Sequence, residues 1–321
     1  MYNLLKLIFF FTVFVMFTAC SNSRQEDNQV VVYVSVDQVF SSKILKQFEK
    51  ETGIQVLAVY DTEASKAIGL EKRLLAEKDA PRADLFWNSE FLRTERLAKA
   101  GVLKNLSSKE NEYTKKMGLR SRVLIINTDL VKKGEYPDSL YDLINPKYKG
   151  KVAICSPYFG TASTHFAALY NKLGEEKFLY FIKALKNNDT ALLAGNSVVK
   201  DAVGHGRYSI GLVDTDDALV GIEQGLPIKM IYYDQDEQGM FSIYQTLSII
   251  KGAPNHENAK KLLDYLLTPK IEQQLISMNA IQFPLLQSGK PTDLPKLWTL
   301  SGVSVAKGLK PSIKLMRSYL E

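Results

Sequence analysis

Hydrophobic positions along this chain change period repeatedly, and each change marks an element. Gln29 to Ser35 is a β-branched run with no polar alternation, as in a strand buried on both faces. Phe40, Ile44, Leu45 and Phe48 then recur at helical spacing until Gly53, which predicts a helix stopped by a left-handed glycine. A strand over 55–60 and a helix over 65–78 follow, with Ile68, Leu70, Leu74 and Leu75 inward. A strand over 84–88 and a helix from Glu90 to Ala100, closed by Gly101, complete a βαβαβα series. This alternation predicts a parallel sheet covered by helices.

After a strand over 122–127, Pro137, Pro146 and Gly150 punctuate a short helix over 140–144. A second α/β series begins at Lys151 to Cys155. It continues with helices over 161–173, 175–186 and 198–205, a strand over 209–213, a helix over 218–224 and a strand over 228–233. Beyond Gly239 come a strand over 241–250, helices over 257–267 and 269–277, and a final helix over 311–320. The fold class predicted is α/β, with two doubly wound lobes; the first starts at Gln29 and ends near Ile126, and the second spans 127–238. No internal repeat is present.

The N-terminus bears on location. Lys6, an apolar run from Leu7 to Phe17 and the small residues Thr18 and Ala19 form a secretory signal peptide over 1–19. The run is short of the roughly 20 apolar residues that span a bilayer. Phe17-Thr18-Ala19-Cys20 resembles the lipobox of bacterial lipoproteins, with Phe17 where Leu is usual. That resemblance implies lipidation at Cys20 and a membrane-anchored protein facing the periplasm or cell exterior. The polar stretch over 20–28 reads as a flexible tether.

Composition narrows the classes further. The roughly 300 residues after Ala19 exceed one ordinary core and suit two units. Net charge is +6, with Lys and Glu interleaved on helix faces and no basic block among aromatics, so no nucleic acid partner is expected. With Cys20 acylated, Cys155 has no disulfide partner and reads as a buried structural thiol in an apolar strand. His165, His205 and His256 lack metal-ligand spacing, which argues against a zinc site.

Four segments carry candidate chemistry. Ser156 to His165 ends a strand, turns at Gly160 and opens a helix with Thr161, Ala162, Ser163 and Thr164; free N–H groups and hydroxyls there suit an oxyanion, or else Thr161 is an N-cap. Gly195-Asn196-Ser197 opens another helix and has the same two readings. Asp214, Asp216 and Asp217 stand where a strand meets a helix, and could accept from an ammonium or hydroxyl, ligate a hard metal, or cap the helix. Asp61, Thr62 and Glu63 follow the second strand, and Asn88 and Glu90 the third, on the carboxyl side of the first lobe; each could instead be a cap. The Tyr232-Tyr233 pair reads as strand packing.

Several of these stretches together resemble the extracellular solute-binding proteins of ABC importers, in the branch called iron(III)-binding. They include 32–37, 48–53, 60–64, 84–90, 194–197, 211–218 and 250–255, in order over nearly all the chain after the tether. The resemblance implies a type II periplasmic binding protein fold. In it the chain crosses back, so that 239–285 rejoins the first lobe, with crossings near Ile125 and Gly239, and 286–321 belongs to either lobe. It implies a monomeric, non-enzymatic clamp that closes on a small charged ligand and passes it to a permease. Ferric relatives hold the metal with a His-Tyr pair and an adjacent Tyr pair; Asp37-Gln38 and Asp216-Asp217 stand at those places here. Their anion seat corresponds to Gly160, Thr161 and Ala162, with Asn196 supporting; Ser197 is a further ligand-binding candidate. The ligand implied is ferric ion with a bound anion, with Asp216, Asp217, Glu63 and Glu90 as metal candidates, or else a phosphorylated or phosphonate organic molecule. No separate cofactor is expected. Two further classes, a metal-dependent surface hydrolase and a lipoprotein sensor, stand beside these; no GxSxG or HExxH motif supports the first.

Overall fold

The computed structural model describes residues 28–61, 68–108, 111–286 and 294–321. The signal peptide, Cys20, the tether up to residue 27, Thr62 and Glu63 lie outside the described residues. The chain runs β1 (Gln29–Val34), α1 (Gln38–Thr52), β2 (Gln55–Tyr60), α2 (Ile68–Ala76), β3 (Leu85–Asn88), α3 (Phe91–Lys99) and β4 (Lys115–Asn127). It continues with β5 (Val152–Cys155), α4 (Gly160–Asn187), β6 (Ala191–Leu193), α5 (Asn196–Gly204), β7 (Ile210–Asp214), α6 (Thr215–Glu223) and β8 (Ile228–Ile231). Then come β9 (Met240–Ile249), α7 (His256–Leu266), α8 (Pro269–Ser277), β10 (Leu297–Trp298) and α9 (Gly302–Leu320).

The result is a two-lobed α/β fold. Strand order is β2-β1-β3-β9-β4-β7-β5-β6, with β10 beside β9 and β8 beside β4. In the first half, β1 pairs in parallel with β2 and β3, as the βαβ alternation requires. Phe40, Ile44, Leu45 and Phe48 are buried, and Gly53 at φ 72° ends α1. In the second half, β5 pairs in parallel with β6 and β7. Separate apolar clusters fill the halves, one around Val32, Leu85 and Leu262, the other around Ile125, Ile154 and Phe181.

One strand joins the two. β4 pairs with β9 through Lys115–Ser121, then with β7 through Arg122–Ile126. The change of partner thus falls at Ser121 and Arg122 rather than near Ile125. The strand also starts well before Arg122. Its first half has no apolar run to announce it, because Lys115, Lys116, Gly118 and Arg120 fill it. Gly118 makes a bulge at φ 47°, where a Cβ would sit 2.2 Å from the Ile281 side chain.

The last helix corrects a second expectation. Pro311 lies inside α9, which begins nine residues upstream, at Gly302, behind a Ser301 cap. An internal proline costs about 3 kcal/mol. Val305 and Leu309 on one side of it and Met316 and Leu320 on the other are buried in two clusters, which outweighs that cost. Gly174 interrupts α4 as the sequence suggested, at φ 77° and ψ 165°.

Candidate functional site

The carboxyl ends of β5, β6 and β7 lie side by side, and each leads into a helix. In such sheets this edge is where ligands bind. Cys155, Ala194 and Asp214 bring three strand ends to one small cavity of about 40 Å³, lined also by Gly160, Thr161, Ala162 and Asn196. Two helices, α4 and α5, start at its wall. Their N-caps, Phe159 and Gly195, make no side-chain cap hydrogen bond. First-turn N–H groups have no intrahelical partner, so both positive helix ends face the cavity.

A buried charge network forms the floor. Arg122 Nη1 donates to Asp214 Oδ1 at 2.8 Å and to Asn196 Oδ1 at 2.9 Å. Thr161 Oγ1 donates to Asp214 Oδ2 at 2.5 Å, and Asn196 Nδ2 to the same oxygen at 3.1 Å. Arg120 Nη1 donates to Asp216 Oδ2 at 2.6 Å and lies 3.7 Å from Asp214 Oδ2. Burial alone would raise the Asp214 carboxyl, but Arg122, Arg120 and the Thr161 hydroxyl together hold it below the usual carboxylate range. Burial would likewise lower both guanidiniums, and the facing aspartates raise them instead, so both stay charged. Arg122 Nη2 also approaches Cys155 Sγ at 3.6 Å, and burial raises that thiol. Cys155 therefore lines the cavity as a buried thiol.

Arg120 ties this floor to the other lobe, its Nη2 donating to the Ser89 carbonyl at 3.0 Å. Ser89 is the first-lobe residue in the cavity wall. Both arginines come from β4, where they alternate with Ser121 and flank the change of sheet partner.

Five residues expected in the site line the cavity: Gly160, Thr161, Ala162, Asn196 and Asp214. Others do not line it and are engaged elsewhere. Asn88 is fully buried and bonded to Ser35 and Thr94. Glu90 caps α3, accepting from the Leu92 and Arg93 N–H groups at 2.6 and 3.0 Å, and accepts the Thr164 hydroxyl at 2.8 Å. Ser163 donates to the Gly160 carbonyl and accepts from Arg93 at 3.0 Å. Asp61 accepts the Leu70 N–H at 3.3 Å. Ser197, in the first turn of α5, does not reach the lining. Thr161 does not cap α4, since Phe159 holds that position and the Thr161 hydroxyl turns to Asp214.

Among the described residues, Asp214, Asp216 and Asp217 form one group that could hold a metal ion, with ligand oxygens within 4.8 Å of one another. Glu90 does not join them. Sequence reasoning missed Arg120, Arg122 and Ser89. The available signal was Arg120-Ser121-Arg122, charges at alternate positions of a strand that is otherwise apolar beyond Arg122.

Fold and site together define a two-lobed protein with a small polar cavity at the strand ends. The chain belongs to the bacterial extracellular solute-binding protein family, whose model matches residues 34–273. It is 24% identical over 302 residues to the Fe(3+)-binding periplasmic protein of Serratia marcescens, covering 86% of this chain and 87% of that one. A Salmonella typhimurium periplasmic protein named for 2-aminoethylphosphonate binding is 26% identical over 261 residues, covering 77% and 74%. Iron-bound HitA from Pseudomonas aeruginosa shares the fold at a TM-score of 0.79 with 20% identity, covering 91% of this chain and 99% of that one. No helix of the described residues is long and apolar enough to cross a membrane.

Proposed function

We propose that this protein is the ligand-capturing component of an ABC importer, seating a small solute by its oxyanion and passing it to a permease. One observation carries the reading: two helix N-termini without side-chain caps and the guanidinium of Arg120 converge on one cavity. In the first form of this reading the oxyanion accompanies ferric ion. Asp214, Asp216 and Asp217 supply hard oxygens, and the Serratia relative is an Fe(3+)-binding protein. In the second form the oxyanion belongs to a phosphonate or phosphate ester. Arg120 and Arg122 favour it, since they already pair with Asp214 and Asp216 and a metal ion would compete with them. Native mass spectrometry with metal analysis of freshly purified protein separates the two forms. Iron with an anion supports the first, and a metal-free phosphorus-bearing adduct the second. Protein that takes up neither ferric citrate nor 2-aminoethylphosphonate would count against both.

The protein works outside the cytoplasm, tethered through an acylated Cys20. Cys20→Ala is expected to move it from the membrane fraction to the soluble fraction and to abolish incorporation of labelled palmitate. Unchanged labelling would remove the anchor from the scheme.

A further inference from the structure

A second concave feature lies outside the seat. α2 and α3 of the first lobe face α9 and Tyr158-Phe159 across a groove of about 710 Å³. That volume is in the range of small-molecule sites. Its floor is apolar, with Leu75, Phe159 and Ile313 in the lining. Its rim is basic on both sides. Lys307, Lys310, Lys314 and Arg317 follow one another at three- and four-residue steps, so a single face of α9 carries all four. Lys72, Arg96 and Lys99 stand on the opposite wall.

The carboxylates are too few to neutralise this rim. Glu71, the one acid in the lining, is buried and shared between Arg93 at 3.6 Å and Arg96 at 3.2 Å. Lys99 pairs with Glu95 at 3.7 Å, and Arg317 lies over the Tyr158 ring at 5.1 Å. Lys307, Lys310 and Lys314 have no carboxylate within ion-pair distance among the described residues. Like charges on facing walls repel each other, and a multivalent anion between them removes that repulsion. A concave site with an apolar floor and two charged walls fits a compact molecule better than a flat bilayer.

We infer that this groove is a second binding site, for an organic polyanion: an apolar, ring-sized body bearing two or more phosphate, sulfonate or carboxylate groups. The groove meets the seat only at Phe159, which lines both. The seat has room for a headgroup, whereas the groove holds a whole molecule.

Pyranine, an aromatic trisulfonate, is the probe. Its fluorescence anisotropy is titrated with the protein lacking residues 1–19, at 50 mM and 500 mM salt. Binding is expected at low salt, weakened at least tenfold at high salt because the contacts are ionic. Lys310→Glu with Lys314→Glu should weaken it at least tenfold, and Lys72→Glu with Lys99→Glu, on the other wall, should do the same. All these changes are on exposed side chains, and circular dichroism checks that each variant is folded. Arg120→Ala, in the seat, should leave pyranine binding unchanged, so failure of the groove and failure of the seat are distinguishable. Equal binding by both charge-reversed variants, or binding indifferent to salt, overturns the proposal. So does lysine-dependent retention on phosphatidylglycerol vesicles with no pyranine binding, which would make the groove a membrane contact.

Discussion

His165 shows how burial turns a common side chain into a pH-dependent weakness. It is 1% exposed, neither ring nitrogen has a hydrogen-bond partner among the described residues, and it stacks on Phe241 at 5.8 Å. Burial, and then the nearby Arg122 charge, lower its pKa from 6.5 to about 3. Above about pH 6.5 the ring is neutral in both states and contributes no pH dependence. Between about 6.5 and 3 the unfolded chain binds a proton that the folded chain refuses, so stability falls as pH falls. The slope from this residue reaches about 1.4 kcal/mol per pH unit. Urea midpoints from pH 7 to pH 4.5 should therefore decline, and His165→Phe should flatten the decline; an unchanged slope would assign the dependence elsewhere. Asp214 acts in the same direction at lower pH, because its depressed pKa gives stability that is present above the unfolded value and lost as pH falls through the folded one. Removing its charge is expected to be costly at neutral pH as well. Asp214→Asn leaves Arg122, fully buried, without its carboxylate, and should destabilise by about 3–5 kcal/mol in chemical denaturation. A loss below about 1 kcal/mol would mean that Asn196 and Asp216 take over the pairing.

Elements differ in how openly the sequence announces them. β1, α1 and β3 were legible because each has one period and clear ends: a β-branched run, an i, i+4 stripe with Gly53, an apolar run before Asn88. β4 was only half legible, since its first seven residues are held by partners distant in sequence. The seat was legible to the same extent. Gly160, Thr161 and Asn196 follow local turn chemistry that a sequence displays, but Arg120 and Arg122 reach the cavity network only because β4 pairs with β9 and then alongside β7. Glu90 and Asp61 were ambiguous for a related reason, as one spacing serves a cap and a ligand equally. α9 was shortened by reading Pro311 as a start, and its packing supplies a test at this scale. At Gly308 an added Cβ would lie 2.4 Å from the Ala167 carbonyl oxygen of α4. Backbone cannot yield as a side chain can, so Gly308→Ala should destabilise by about 1–3 kcal/mol through overpacking. Gly302→Ala, on the same helix but 3.3 Å from the Glu95 side chain, should cost far less. Thermal unfolding of the two variants checks this, and equal midpoints would show that α9 shifts freely against α4.

For the whole molecule, the number of bonds between the lobes near the seat matters more than any single contact. A protein that captures by closure needs two arrangements, separated by a free energy that ligand can tip. Tipping the balance from 1:99 to 99:1 takes about 5.5 kcal/mol of differential affinity. Among the described residues, the ties that cross between the halves near the cavity include Arg120, bonded to Asp216 and to the Ser89 carbonyl, Thr215 to Gln282, Glu90 to Thr164, and Arg93 to Ser163. The last two join α3 to α4 in a fully buried setting, on the side where α9 also packs against both helices. These two are expected to act as a fixed edge during closure, and the Arg120 tie, at the cavity, to form or break with ligand. Thr164→Val therefore removes one fixed tie and leaves the Glu90 cap on α3 in place. Small-angle scattering of the ligand-free variant is expected to give a larger radius of gyration than the parent protein, with a smaller contraction on adding ferric citrate or 2-aminoethylphosphonate. Arg120→Ala is expected to behave differently: ligand-free dimensions near those of the parent, and no contraction at any ligand concentration. If both variants scatter alike, with and without ligand, the buried ties are ordinary core bonds and the axis of motion lies elsewhere in the two crossing strands.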